Sequence, residues 1–79
     1  MSVKIKRGRH YLLDGEDRVE VLGVHSDHPD YVHLAPGEVL YGFVDEQDAI
    51  DAGWIADSEG RYEAISDMDE FAEWARPAP

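Results

Sequence analysis

The chain contains no cysteine and no threonine. Without cysteine there is no disulfide, no thiolate nucleophile and no cysteine-ligated zinc. Serine is sparse, and none of Ser2, Ser26, Ser58 and Ser66 sits in a nucleophile motif such as GxSxG. Long apolar runs are missing: no segment approaches the roughly 18 residues that a membrane helix needs. The basic start MSVKIKRGR is not followed by the apolar stretch of a signal peptide. The seven glycines stand singly, so no glycine-rich phosphate loop is present. Positive charge is scarce as well, with 7 lysines and arginines against 18 acids and a net charge of −11. These absences argue against catalysis and against a bound cofactor. A chain of 79 residues holds one domain, spanning 1–79, whose small core makes each large apolar residue count. A cytoplasmic protein with no membrane partner is expected.

What is present is acidic and unevenly placed. Residues 1–9 carry four bases (Lys4, Lys6, Arg7, Arg9) and no acid. Residues 10–79 carry three bases (Arg18, Arg61, Arg76) and all eighteen acids, eleven of them between Asp45 and Glu73, where Arg61 is the one base. Such a surface repels DNA, RNA and anionic membranes, and it attracts basic partners.

The first two thirds of the chain have the pattern of strands. Val3 and Ile5 alternate with Lys4 and Lys6, the period-2 signature of a half-buried strand. His10, Tyr11, Leu12 and Leu13 form a short apolar run closed by the turn signal DGED at 14–17. In 18–24, Val19 and Val21 alternate with Arg18 and Glu20. Leu22 and Val24 then fall on the opposite parity, which predicts a bulge near Leu22 and Gly23. Pro29 predicts a turn over 26–30. Strands are expected over 31–34 and 39–44, with a turn at 35–38 between them.

After residue 44 the pattern becomes helical. Asp45 or a neighbour can cap the start, acids load the first turn, and Gly53 suits a left-handed stop, which predicts a helix over 45–52. DSEG at 57–60 predicts a hairpin between 54–56 and 61–65. Ser66 or Asp67 caps a second helix over 67–75, with Met68, Phe71, Ala72 and Ala75 on its apolar face and Pro77 beyond its end. The predicted fold is α+β: a small antiparallel sheet, or an SH3-like partly open barrel, of about five or six short strands with two short helices. The expected core is Val19, Val21, Leu22, Val32, Leu34, Leu40, Phe43, Ile50, Trp54, Ile55, Tyr62, Ile65, Phe71 and Trp74.

Two constellations invite a chemical interpretation. HSDHPDYVH at 25–33 gathers His25, His28 and His33 with Asp27 and Asp30, enough donor types for zinc. The spacing matches no metal motif, and a strand beyond Pro29 would turn His33 away from the other two. The plainer expectation is a polar loop whose aspartates bond its own backbone, and no metal site is assigned. Asp45/Asp48 and Asp67/Glu70 place carboxylates one helical turn apart, a spacing suited to magnesium or to acid–base work. Acids in a first turn are equally explained by the helix dipole, so no catalytic residue is assigned.

The acidic surface carries the functional expectation. Asp45, Glu46, Asp48 and Asp51 lie on the first predicted helix, Asp57, Glu59 and Glu63 on the hairpin, and Asp67, Asp69, Glu70 and Glu73 on the second helix. Packed together, these elements would spread carboxylates in a way comparable to the phosphates of a nucleic acid, a match for a basic groove that normally holds DNA or RNA. Tyr31, Tyr41 and Tyr62 are the expected exposed aromatic anchors. A short cysteine-free domain, lacking catalytic motifs and strongly negative, resembles the small acidic phage-encoded inhibitors of bacterial defence, anti-CRISPR proteins among them. The resemblance is one of class and transfers no individual residue. It implies a non-enzymatic binding protein, acting in the bacterial host cell, that occupies the basic surface of a nucleic-acid-binding protein or complex. The basic residues 4–9 depart from that class and would fold back on the acids, or touch RNA or an acidic edge of a partner. The alternative is a small structural or adaptor domain whose acids serve solubility. A monomer or a weak, symmetric homodimer through strand edges is expected.

Overall fold

The computed structural model describes residues 5–78. The elements follow in the order β1 (His10–Leu13), β2 (Asp17–Val24), β3 (Glu38–Phe43), α1 (Glu46–Asp51), β4 (Glu63–Asp67), α2 (Met68–Trp74) and β5 (Ala75–Pro77). The strands form one open antiparallel sheet in the order β4-β3-β2-β1-β5, which confirms the α+β expectation in its open-sheet form; the barrel does not close. Part of the expected first strand lies outside the described residues. Ile5 and Lys6 are not in a strand, and Ile5 packs instead against the core.

The strand register sorts side chains onto two faces. Tyr11 pairs with Val19 and Val19 with Phe43, while Val21 pairs with Tyr41 and Tyr41 with Ala64. Because neighbours in register share a face, these residues line one side, where Tyr11, Val19, Val21 and Val39 are fully buried beside Phe71 and Ala75. The aromatic rings form a chain across this side. Phe71 lies 5.5 Å from Tyr11 and 5.0 Å from Tyr41, and Trp54 lies 5.9 Å from Tyr41 and 4.6 Å from Phe43. The segment that follows α1 and helix α2 therefore cover the same face. α2 is about 10 Å long at 1.5 Å per residue, whereas strands β4 and β5 would stand about 19 Å apart on a flat sheet. The sheet must curl around Phe71 for so short a helix to bridge its two edges.

Both helices are capped as their sequences specify. Asp45 accepts the N–H of Gln47, and Asp67 accepts the N–H of Asp69. Gly53, at φ 85°, takes the left-handed stop. The register shift between Val21 and Gly23 is the bulge expected from the break in parity.

Four expectations are corrected. Residues 31–34 are not a strand, although Leu34 is buried. Residues 54–56 are not a strand either; Trp54 turns onto the aromatic row, and Ile55 is left 91 % exposed. Ile50, Ile65 and Trp74 are exposed rather than core, while Tyr11, Val39 and Ala49 take core positions that the sequence did not single out, and Ala75, expected on the apolar face of the second helix, is buried as well. The chain after α2 does not simply stop at Pro77 but runs into β5, with Leu13 paired to Ala75 and Tyr11 to Pro77. Pro77 is tolerated there because β5 is an edge strand.

Candidate acidic interface

The eleven carboxylates named above divide into those used by the fold and those left to solvent. Asp45 and Asp67 are helix caps. That accounts for one acid of each pair considered for magnesium or acid–base work. Asp57 accepts the backbone N–H groups of Glu59 and Arg61 at 2.9 Å each, and these two bonds hold its carboxyl below the usual carboxylate range. Glu59 pairs with Arg61, whose guanidinium also lies 4.3 Å over the ring of Tyr31. Glu63 accepts the hydroxyl hydrogen bond of Tyr31 at 2.9 Å. Asp51 accepts from the side chain of Gln47 at 3.0 Å. Glu46, Asp48, Asp69, Glu70 and Glu73 make no side-chain hydrogen bond or ion pair among the described residues. Asp48 is half-buried and the other four are exposed.

The bases do not offset this charge. Arg61 is committed to Glu59 and Tyr31. Arg76 donates to the carbonyls of Glu73 and Ala75 at the end of α2. Arg7, in the basic segment, pairs with Asp27 at 2.7 Å. It therefore folds back onto the 25–36 loop and not onto the C-terminal acids. Among the described residues, Glu59 is the only one of the eleven in an ion pair.

The expected aromatic anchors separate. Tyr31 is 54 % exposed, and its hydroxyl pKa is raised, first by burial and then by the hydrogen bond to Glu63 and its charge. Tyr62 is half-buried. Tyr41 is not an anchor: its ring belongs to the aromatic row of the core, and burial raises its pKa.

A cleft of about 280 Å³ opens on the face of the sheet away from α2. Gly42 and Leu22 form its floor, with Glu20, Glu46, Glu63 and Tyr62 among its walls. A Cβ on Gly42 would lie 3.0 Å from Leu22 and 3.2 Å from the carbonyl of Tyr62, so the glycine keeps this floor open. The cleft gave no signal in the sequence. Its walls come from β2, β3, the start of α1 and the approach to β4, which only the register brings together.

The histidine-rich segment has a structural explanation. Val24 and Asp27 exchange backbone hydrogen bonds at 2.9 Å, closing a tight turn after β2. His25 donates from Nδ1 to the carbonyl of Leu34 at 2.8 Å and ties the two ends of the loop. His28 donates to the carbonyl of Pro29 at 3.1 Å and packs over Gly23, where an added Cβ would come within 2.7 Å of it. His33 is exposed. Among the described residues, no group of three or more histidines and acids is arranged to hold a metal ion.

Compared with protein-family models, with curated proteins and with solved structures, the chain gives no match. What the structure defines is a class of architecture, an α+β domain with an open five-stranded antiparallel sheet and two short helices. No helix among the described residues is long and apolar enough to cross a membrane.

Proposed function

We propose that this protein is a non-enzymatic inhibitor that binds through its acidic C-terminal half to the basic, nucleic-acid-binding surface of a partner and blocks it. The observation that carries this reading is the imbalance between Asp45 and Glu73: eleven carboxylates, one base, and that base already paired with Glu59. α1 and α2 both carry such acids, and α2 packs on the same sheet face as the Trp54 segment that follows α1. Like charges three and four residues apart on a helix cost a few tenths of a kcal/mol per pair, so an acidic surface of this kind works against stability. A basic groove would release counterions from these carboxylates as it does from phosphates. This mode of action is the one implied by the resemblance to phage-encoded anti-CRISPR and related anti-defence inhibitors, and it places the protein in the bacterial host cytoplasm.

The test is capture of partners from bacterial lysate at low and at high salt. Capture should fall steeply as salt rises. The double reversal Asp48→Lys with Asp51→Lys should abolish capture while leaving the circular dichroism spectrum unchanged. Neither residue caps a helix, so loss of binding would not merely report loss of fold. Salt-independent capture, or capture indifferent to the reversal, would leave the acids with a solubilising role in an adaptor domain.

A further inference from the structure

Strand β4 closes one edge of the sheet, and its outer side is open. The phase of its hydrogen bonding follows from two contacts beyond its ends: Phe43 N–H donates to the carbonyl of Tyr62 at 3.2 Å, and Met68 N–H to the carbonyl of Gly37 at 2.7 Å. With Leu40 opposite Ile65, bonded and non-bonded pairs alternate along the ladder. Ala64 and Ser66 therefore exchange bonds with β3, and the N–H and C=O of Glu63 and Ile65 point away from the sheet. No group among the described residues bonds to them. The preceding residues 54–56, which a hairpin would have placed along this edge, leave it instead to seat Trp54 on the aromatic row.

The side chains beside this open edge follow a pattern. Glu63, Ile65 and Asp67 share one face of the strand by alternation, giving an acid–apolar–acid series in which Glu63 is half-buried, Asp67 is exposed and Ile65 is 46 % exposed. The antiparallel register that pairs the whole strand with a second copy of itself would set Glu63 against Asp67 at both ends. Like charges directly opposite are destabilising, so the edge is guarded against self-pairing. The same pattern favours a strand that presents base, apolar residue and base. Glu63 also lines the 280 Å³ cleft, where Glu20 and Glu46 add negative charge beside it and Arg61, paired with Glu59, is the one base.

We propose that the β4 edge accepts an extended basic segment of the partner protein as a sixth strand, with Arg or Lys side chains against Glu63 and Asp67 and an apolar side chain on Ile65. This mode of strand addition draws affinity from main-chain bonds and specificity from alternate side chains. It rests on the acidic-interface reading and states how that interface is engaged.

The probe is a capped synthetic peptide of sequence Lys-Arg-Thr-Val-Thr-Arg-Lys, titrated into the full chain at low salt and followed by ¹⁵N NMR. The control is the same peptide N-methylated at its two arginines and its valine. It keeps the charge and loses the donors that would face Glu63 and Ile65. The unmodified peptide should shift the amides of Glu63 and Ile65 and bind at least about tenfold tighter than the control, the equivalent of one or two hydrogen bonds. Ile65→Pro removes an outward N–H and leaves the bonds to β3 intact, so it should weaken the peptide by a similar factor. If that variant does not fold, the peptide pair alone decides. Equal binding of the two peptides overturns strand addition while leaving the acidic surface as a charge-driven site. Binding of neither overturns it outright. Discrimination between the peptides, together with salt-independent lysate capture, would keep the edge and remove the inhibitor reading.

Discussion

Asp57 and Tyr31 show how individual residues here join structure to charge. Two backbone hydrogen bonds lower the pKa of Asp57. A carboxyl lowered by folding contributes stability that is present above its unfolded pKa and lost as the pH falls through the folded value. An Asp57→Asn variant should therefore flatten the acid limb of the stability–pH curve, as read by urea unfolding across the acid range. Tyr31 behaves in the opposite sense. Its raised pKa means that its contribution is complete below the unfolded value of about 10 and declines as the pH rises through the folded one. Tyr31→Phe keeps the ring under Arg61 and loses the bond to Glu63, an exposed contact, so the cost should be at the low end of about 0.5–1.5 kcal/mol by denaturant midpoint. Gly23 is less forgiving. A Cβ there would stand 2.7 Å from the Cβ and 2.9 Å from the Cα of His28, so the loop backbone must move. Gly23→Ala should cost about 1–3 kcal/mol, as other overpacking changes do, and a shift of the His28 ring resonances should accompany it.

At the scale of elements, helices of six and seven residues are far below the length at which a helix is stable alone. They persist because their caps and their buried sides hold them. Phe71 is the main anchor of α2 and touches both Tyr11 and Tyr41. Phe71→Ala should cost about 3–5 kcal/mol. That is much of the stability a domain of this size has, so near-UV circular dichroism at about 25 °C should show a partly or wholly unfolded population. A variant that keeps its full near-UV signal and its urea midpoint would show that α2 is not what closes the core. Helix existence was legible in the sequence because caps and apolar spacing are local. The bulge was legible too, since a change of parity is written into consecutive residues. β5 was not: three residues containing a proline have no periodicity, and they become a strand only because β1 offers an edge when α2 delivers them there. The strand expected at 31–34 failed for a related reason. Its alternating pattern was real, but Leu34 is buried without joining a ladder.

Across the whole molecule, charge outweighs every other feature. A net charge of −11, with few ion pairs among the described residues to offset it, destabilises the compact state through self-repulsion. Added salt screens exposed charges, with a Debye length of about 10 Å at 0.1 M and about 3 Å at 1 M. The melting temperature should therefore rise with sodium chloride from low to molar concentration, by scanning calorimetry. A fall would mean that the Arg7–Asp27 and Arg61–Glu59 pairs outweigh the repulsion.

The sequence by itself determined the acidic character, the helix caps and the α+β class, because composition, capping and periodicity are properties of neighbouring residues. The candidate acids were legible in the same way, as a count along the chain. Only the tertiary structure decided how the fold engages the acids that are not caps, since the bond of Glu63 to Tyr31 joins residues far apart in the chain. It alone decided that Ile65 stays exposed while Ala64 and Ser66 face the helical layer, because the facing of a strand is set by its register with β3. It also decided that β4 is an open edge, for that depends on residues 54–56 burying Trp54 elsewhere, a competition between a ladder and a core that no local stretch of sequence contains.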